Sequence, residues 1–252
     1  MTFEASGERY DRYMGRYLPE LGRALADAAG VRPGQRALDV GCGPGGLTRE
    51  LVARLGPEQV AAIDPSESFV AACSERNPGV DVRLGVAEQL PFADGSFDVA
   101  LASLAVPFMK DPVQGVREMG RVAPVVAACV WDYAGGMRML SVFWESAAAV
   151  DPAAPGERGL IGGSPDDLGR VFRGAGLDAV EEGALDVGAH YESFDDWWEP
   201  FGYGIGPAGS YCVLLDDGVR AELREECRRR LGDPQGAFRG EARAWYAVAK
   251  TA

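Results

Sequence analysis

Histidine occurs once in these 252 residues, at His190. A lone histidine of this kind is more often a surface or packing residue than a base. The five cysteines, Cys42, Cys73, Cys129, Cys212 and Cys227, are scattered and odd in number. They show neither zinc spacing nor a paired redox motif. Buried thiols in a reducing cytosol are the expectation, with no metal site and a cytoplasmic location. No basic run is present: Arg228, Arg229 and Arg230 follow Glu222, Glu225 and Glu226 on one helical segment and read as a solvated face. With a net charge of −13, the chain repels phosphate backbones, which argues against a nucleic-acid partner. No apolar run is long enough to span a bilayer, so no membrane partner is expected. The opening residues MTFEASGERYDRY are polar and lack the apolar core of an export signal. No internal repeat and no low-complexity tract interrupts the sequence.

What is present fits one large domain, or one domain with a lid. Apolar content is 47% and charged content 25%, enough for a sizeable core. Apolar runs at 37–40, 60–63, 97–101 and 125–131, with an alternating run at 80–84, are separated by helical stretches. Among the helices, 111–122 carries Val113, Val116, Met119 and Val122 at spacings of three. Continuous apolar strands alternating with helices indicate an α/β fold whose mostly parallel sheet is covered on both faces.

Ahead of the first strand, residues 5–30 predict two helices, the second opened by Pro19 and closed by Gly30. Tyr10, Tyr13, Met14 and Tyr17 form a stripe on the first helix. After Trp131 the alternation stops. Residues 133–163, rich in Gly, Pro and Ala, predict a helix with loops. Ser164, with Pro165 and Asp167, predicts a helix start, and Gly176 its stop. A strand is expected within 177–191. Ser193 and Asp196 form a capping box before Trp197, Trp198 and Phe201. A glycine loop follows through Gly209, then an amphipathic helix with Leu215, Val219, Leu223 and Cys227, then a strand over 238–248. The domain expected is thus a single one over 1–252. Its core spans 31–132, 164–191 and 236–250, with N-terminal helices at 5–30 and lid or insert segments at 133–163 and 192–235.

The segment richest in information is ALDVGCGPGGLT at 37–48. A strand runs into a glycine turn, and a helix follows. Glycine allows backbone to approach a ligand closely, and the helix start offers free N–H groups. Gly41, Gly43 and Gly46 satisfy the dinucleotide spacing, a weak signal alone. A pyrophosphate would sit badly beside Asp39, whereas an ammonium group or its bridging water would sit well. Asp64, ending the second strand, suits the ribose hydroxyls of either ligand.

ALDVGCGPGG, then AAIDPS, then AEQLPFADGSFDVAL resembles the ordered motif set of class I S-adenosylmethionine-dependent methyltransferases. The likeness is strongest to the branch that includes ubiquinone and menaquinone biosynthesis enzymes and many small-molecule methyltransferases, and it covers about residues 5–132. The segment FDDWWEPF…GPAGSY also resembles a subgroup of these proteins and adds no substrate. The resemblance implies a Rossmann-like class I methyltransferase sheet with an antiparallel last strand, helices on both faces and helical lid insertions. It implies S-adenosyl-L-methionine as cofactor and a small-molecule acceptor, and leaves oligomeric state open. Residue by residue, Asp39, Gly41, Cys42 and Gly43 would approach the methionine part, with Arg16 on its carboxylate. Asp64 would grip the ribose, with Pro65 and Ser66 beside the adenine. Ala87 would offer its N–H to adenine, with Glu88 adjacent, and Ser103 and Leu104 would floor the sulfonium.

Two departures stand out. Val86 occupies the place of an acidic residue that in relatives accepts the adenine amino proton. The turn before the fifth strand is shortened to Arg121-Val122-Ala123-Pro124. Relatives that methylate hydroxyls often carry a histidine after the fourth strand, where this chain reads Ala105-Val106-Pro107-Phe108. Asp132 and His190 remain as weak candidates for proton transfer. Tyr10, Trp131, Trp197, Trp198 and Tyr203 are candidates for an aromatic lid or acceptor wall, against which stands ordinary packing of an added helical layer. Two further readings stay open from sequence: a cofactor-binding protein that does not methylate, and a nicotinamide-dependent dehydrogenase.

Overall fold

The computed structural model describes residues 7–157 and 159–250; residues 5 and 6 of the first expected helix lie outside the described residues. The chain begins with α1 (Gly7–Arg12), a 3-10 turn at Met14–Arg16 and α2 (Leu18–Ala28). The tyrosine stripe is therefore not one helix, because the chain breaks at Tyr13. Alternating units follow: β1 (Ala37–Val40), α3 (Gly46–Leu55), β2 (Val60–Asp64), α4 (Glu67–Arg76), β3 (Asp81–Leu84), β4 (Val99–Ser103), α5 (Pro112–Val122) and β5 (Val125–Trp131). Ser66 and Asp111 cap α4 and α5 by accepting the backbone N–H three residues on.

The second half contains α6 (Arg138–Val150), α7 (Asp167–Gly174), β6 (Val180–Tyr191), α8 (Phe194–Trp198), α9 (Gly206–Leu214), α10 (Asp217–Arg230) and β7 (Phe238–Lys250). Two local expectations need correction here. Ser164 does not cap α7; Asp167 instead accepts the N–H groups of Gly162 and Ser164 at 3.0 and 2.9 Å, which folds the approach loop and delays the helix. The glycine stretch after Phe201 is not a loop but a 3-10 turn at Glu199–Tyr203 followed by α9. Positive φ is confined to Gly204 and Gly206, so these two break the chain and Gly209 stays helical.

The sheet order is β3-β2-β1-β4-β5-β7-β6. β7 runs antiparallel to both β5 and β6, so β7 alone opposes the other six strands. Alternate residues of each strand feed two core layers. Leu38 and Val40 pack with Val116 and Met119 of α5 and Phe172 of α7. Ala37, Leu101 and Cys129 pack on the opposite layer with Leu21 and Leu25 of α2, Leu51 of α3 and Phe143 of α6. Strand order reverses between β1 and β4, and such a switch point opens a crevice at the carboxyl ends of the strands. No helix among the described residues is long and apolar enough to cross a membrane.

Candidate active site

A cavity of about 940 Å³ opens at that switch point. Its wall takes Gly41 and Gly43 after β1, Asp64 to Phe69 after β2, and Gly85 to Glu88 after β3. Ser103 and Leu104 close β4, Trp131 closes β5, and Tyr10, Tyr13 and Met14 come from the N-terminal segment. Every parallel strand from β1 to β5 therefore delivers a carboxyl end to one space.

The glycine turn shapes the floor. Gly41 has φ +72°, and a Cβ there would collide with the Ala105 side chain. Gly43 has φ +53°, and nothing stands within 4 Å of the place its Cβ would occupy. That place is the surface a ligand can approach. The Gly43 N–H donates to Asp64 Oδ2 at 2.9 Å, and the Ser66 N–H donates to Oδ1 at 2.9 Å. These bonds fix the carboxylate and leave further lone pairs for hydroxyl donors. Burial raises the Asp64 pKa, and the two N–H bonds oppose the rise.

Asp39 is fully buried and does not line the cavity. Its Oδ2 accepts the Thr48 hydroxyl at 2.6 Å, while Oδ1 is buried without a partner. Burial pushes its pKa up to about 7 against the help of Thr48. Cys42 likewise faces away from the cavity and packs with Cys73 and Ala62. Leu104 is held at φ +62°, a region costly for a side-chain residue, at the foot of the cavity. Its N–H donates to the Cys129 carbonyl at 2.9 Å. Glu88 lines the cavity, but its Oε1 accepts the N–H groups of Lys110 and Asp111 at 2.7 and 3.1 Å, bracing the start of α5.

A model described as methyltransferase domain matches residues 38–124. Nocamycin O-methyltransferase of Saccharothrix syringae is 31% identical over 204 residues, covering 72% of this chain and 73% of that protein. The chain belongs to the S-adenosylmethionine-dependent methyltransferase family. Demethylmenaquinone methyltransferase of Beutenbergia cavernae is 41% identical over 100 residues, which is 40% of this chain. The chain spans only 41% of that relative's length. In fold it is similar to Haemonchus contortus phosphoethanolamine N-methyltransferase 2, crystallised with phosphomonomethylethanolamine and S-adenosylhomocysteine. That likeness has a TM-score of 0.55 at 16% identity and covers 92% of this chain and 52% of the nematode enzyme.

The methyltransferase site fits its cofactor on two observations. The open face of Gly43 gives backbone approach, and the partnerless Asp39 oxygen behind the turn calls for a cation or bridging water rather than a phosphate. Asp64 presents its fixed carboxylate at the cavity wall. Pro65, Ser66, Ala87 and the exposed apolar Val86 and Phe108 wall the outer end.

Six further residues expected at the site stand off the cavity wall. Arg16 is committed to Asp196, which it meets with two guanidinium nitrogens, and to the His190 carbonyl at 3.1 Å. The guanidinium also lies 4.9 Å from the Tyr191 ring centroid, so it braces the N-terminal segment against β6 and α8 and does not line the cavity. Asp132 Oδ1 accepts the Ala134 N–H at 3.0 Å and holds the turn after β5. The His190 side chain is 62% exposed and meets Glu192 at 3.2 Å, away from the cavity. Trp197 is buried against Phe194 and Phe201, and Trp198 packs on Phe143 and Phe201. Both rings pack within the added helical layer and do not line the cavity. Tyr203 gives its hydroxyl to Glu199 at 2.8 Å and also lies outside the cavity.

Several wall residues were not singled out from sequence: Tyr13, Phe69, Met109, Tyr133, Leu140, Glu157 and 205–207. Tyr13 shared the tyrosine stripe, which was the one available signal. Glu157 stands in a Pro- and Gly-rich stretch without any spacing to mark it.

Proposed function

We propose that this methyltransferase acts on a small, largely apolar acceptor held at the inner end of the cavity, where Tyr10, Tyr13, Trp131, Tyr133 and Leu140 converge. The observation that carries this reading is the continuity of that aromatic end with the Asp64 and Gly43 end in one space. The segments 133–163 and 192–235 are the acceptor-shaping inserts; each contributes wall residues, Leu140 and Glu157 from one, Ile205 and Pro207 from the other. The strongly acidic chain supports a free small molecule over a nucleic acid as acceptor. Five free and buried cysteines support work in a reducing cytoplasm. The name of the Saccharothrix relative supports oxygen as the receiving atom.

Bound S-adenosylmethionine supplies an electrophilic methyl on a sulfonium. The chain's part is to align and to exclude water. Asp64 and the glycine turn hold the nucleoside and amino-acid ends; Ser103 and Leu104 define the floor between them and the acceptor. The aromatic wall orients the acceptor for in-line displacement, and such alignment supplies roughly 7–11 kcal/mol of the barrier. Calorimetry with S-adenosylhomocysteine tests the reading. The wild type should bind, and Asp64→Ala should lose at least about tenfold in affinity, the scale of one hydrogen bond to a charged group. A folded wild type that takes up no S-adenosylhomocysteine refutes it.

A further inference from the structure

Glu157 lies on the segment between α6 and α7, in the wall at the aromatic end. Its Oε2 is buried without a hydrogen-bond partner, as is the Trp144 indole Nε1. Two other carboxylates on the cavity wall, Asp64 and Glu88, differ. Asp64 accepts two backbone N–H groups, and Glu88 accepts two more. No such donor holds Glu157 Oε2, and the cavity's one cationic wall residue among those described, Lys110, sits beside Phe108 and Met109 after β4. A buried carboxylate oxygen without a well-placed donor costs free energy that a proton relieves.

We infer that Glu157 is the base of this methyltransferase, accepting the proton of a phenolic hydroxyl on the acceptor as that oxygen takes the methyl. The inference rests on the proposed acceptor site and deepens it. The balance is complete. The acceptor oxygen forms the new bond to carbon, and the carbon–sulfur bond breaks with its electron pair left on sulfur as a neutral thioether. The O–H bond breaks, its electrons stay on oxygen, and the proton rests on the Glu157 carboxylate until solvent removes it. Burial raises the Glu157 pKa to about 7, and the nearby Trp144 N–H, outside hydrogen-bond geometry, offsets part of the rise. A base with that value is matched to proton transfer at neutral pH. The titratable groups facing it are phenols, Tyr13 from before the first 3-10 turn and Tyr133 from the turn after β5. Burial and then the Glu157 charge push both phenols above their usual range, so they stay protonated. The ring-lined wall favours an aromatic alcohol.

The test uses phenol, 2-naphthol and 4-nitrophenol as acceptor probes, with 4-nitroanisole and benzylamine as controls. Calorimetry should show equal S-adenosylhomocysteine affinity for the wild type and Glu157→Gln. In its presence the wild type should bind the phenols more tightly than the controls, and Glu157→Gln should lose that preference. With S-adenosylmethionine, Glu157→Gln should slow methylation of the phenols by about 10²–10⁴-fold and abolish the rise of rate with pH near neutrality, while Glu157→Asp restores part of both. A wild type that binds S-adenosylhomocysteine yet neither binds nor methylates any phenol, or that prefers benzylamine, overturns the inference and leaves the methyltransferase reading standing. So does a Glu157→Gln enzyme that matches the wild type. A wild type that binds no S-adenosylhomocysteine refutes the parent reading instead.

Discussion

Asp39→Asn tests the reading of the glycine turn through stability as well as binding. The side chain is wholly buried, and its pKa stands at about 7 against a usual 3.8. Because the folded state holds this proton more tightly than the unfolded chain, stability is greatest below the unfolded value. It falls as pH rises from about 4 to about 7 and then stays flat with the full cost present. At 1.36 kcal/mol per pH unit, that full cost is roughly 4 kcal/mol, and the part incurred between pH 5 and pH 8 is about 2–3 kcal/mol. Asparagine carries no charge and still offers an oxygen to Thr48. Urea unfolding of both proteins at the two pH values isolates the effect, since Glu157 and every other titrating group cancel in the difference. The wild type should lose about 2–3 kcal/mol relative to the variant on going from pH 5 to pH 8. S-adenosylhomocysteine should bind the variant at least about tenfold more weakly at pH 8, because the negative charge behind the glycine turn is gone. A stability difference that does not move with pH would show that Asp39 is ionised at no cost, and the argument for a cation-seeking turn would fail.

Arg16→Ala should leave S-adenosylhomocysteine affinity unchanged and lower stability by about 1–3 kcal/mol, because a part-buried carboxylate, Asp196, loses its partner; a large loss of affinity in calorimetry would return Arg16 to the cofactor site. Trp197→Ala should lower stability by about 3–5 kcal/mol through the cavity left beside Phe194 and Phe201, read by chemical denaturation. A near-neutral result there would mean that the ring is free to move and that the lid reading deserves revival.

The Gly43 and Asp64 half of the site was readable because its wall is built from short stretches of chain at strand ends. A strand that stops in glycine, and a second that stops in aspartate, must appear as contiguous words in the sequence. ALDVGCG and AAIDPS are such words, and the sheet brings them together by pairing β1 with β2 in parallel register. Asp39 shows where that reading stops short. Strand periodicity puts it on the same face as Ala37, toward α3, so its charge acts from behind the turn and not on the cavity wall. Arg16 shows the opposite failure. A cation near a tyrosine-rich helix fits a carboxylate ligand in sequence terms, yet Asp196 lies 180 residues away and claims it. No local pattern announces a partner so distant.

The aromatic end resists reading for a related reason. Its wall is assembled from single side chains at 10, 13, 131, 133, 140 and 157, carried by an N-terminal segment, a strand end, a helix and a loop. Each position is unremarkable in its own neighbourhood, and the tryptophans that looked functional, Trp197 and Trp198, are the ones the core consumes. A base expected as histidine after β4 is absent there, and the chain's one histidine points to solvent. Glu157 occupies the complementary position: a carboxylate with a buried, partnerless oxygen, set in a stretch whose prolines and glycines give no periodicity. The chemistry of this enzyme is thus divided between two kinds of inheritance. The cofactor end is written in turns that any parallel sheet of this order must present, and the acceptor end is written in burial, which only the folded chain reveals.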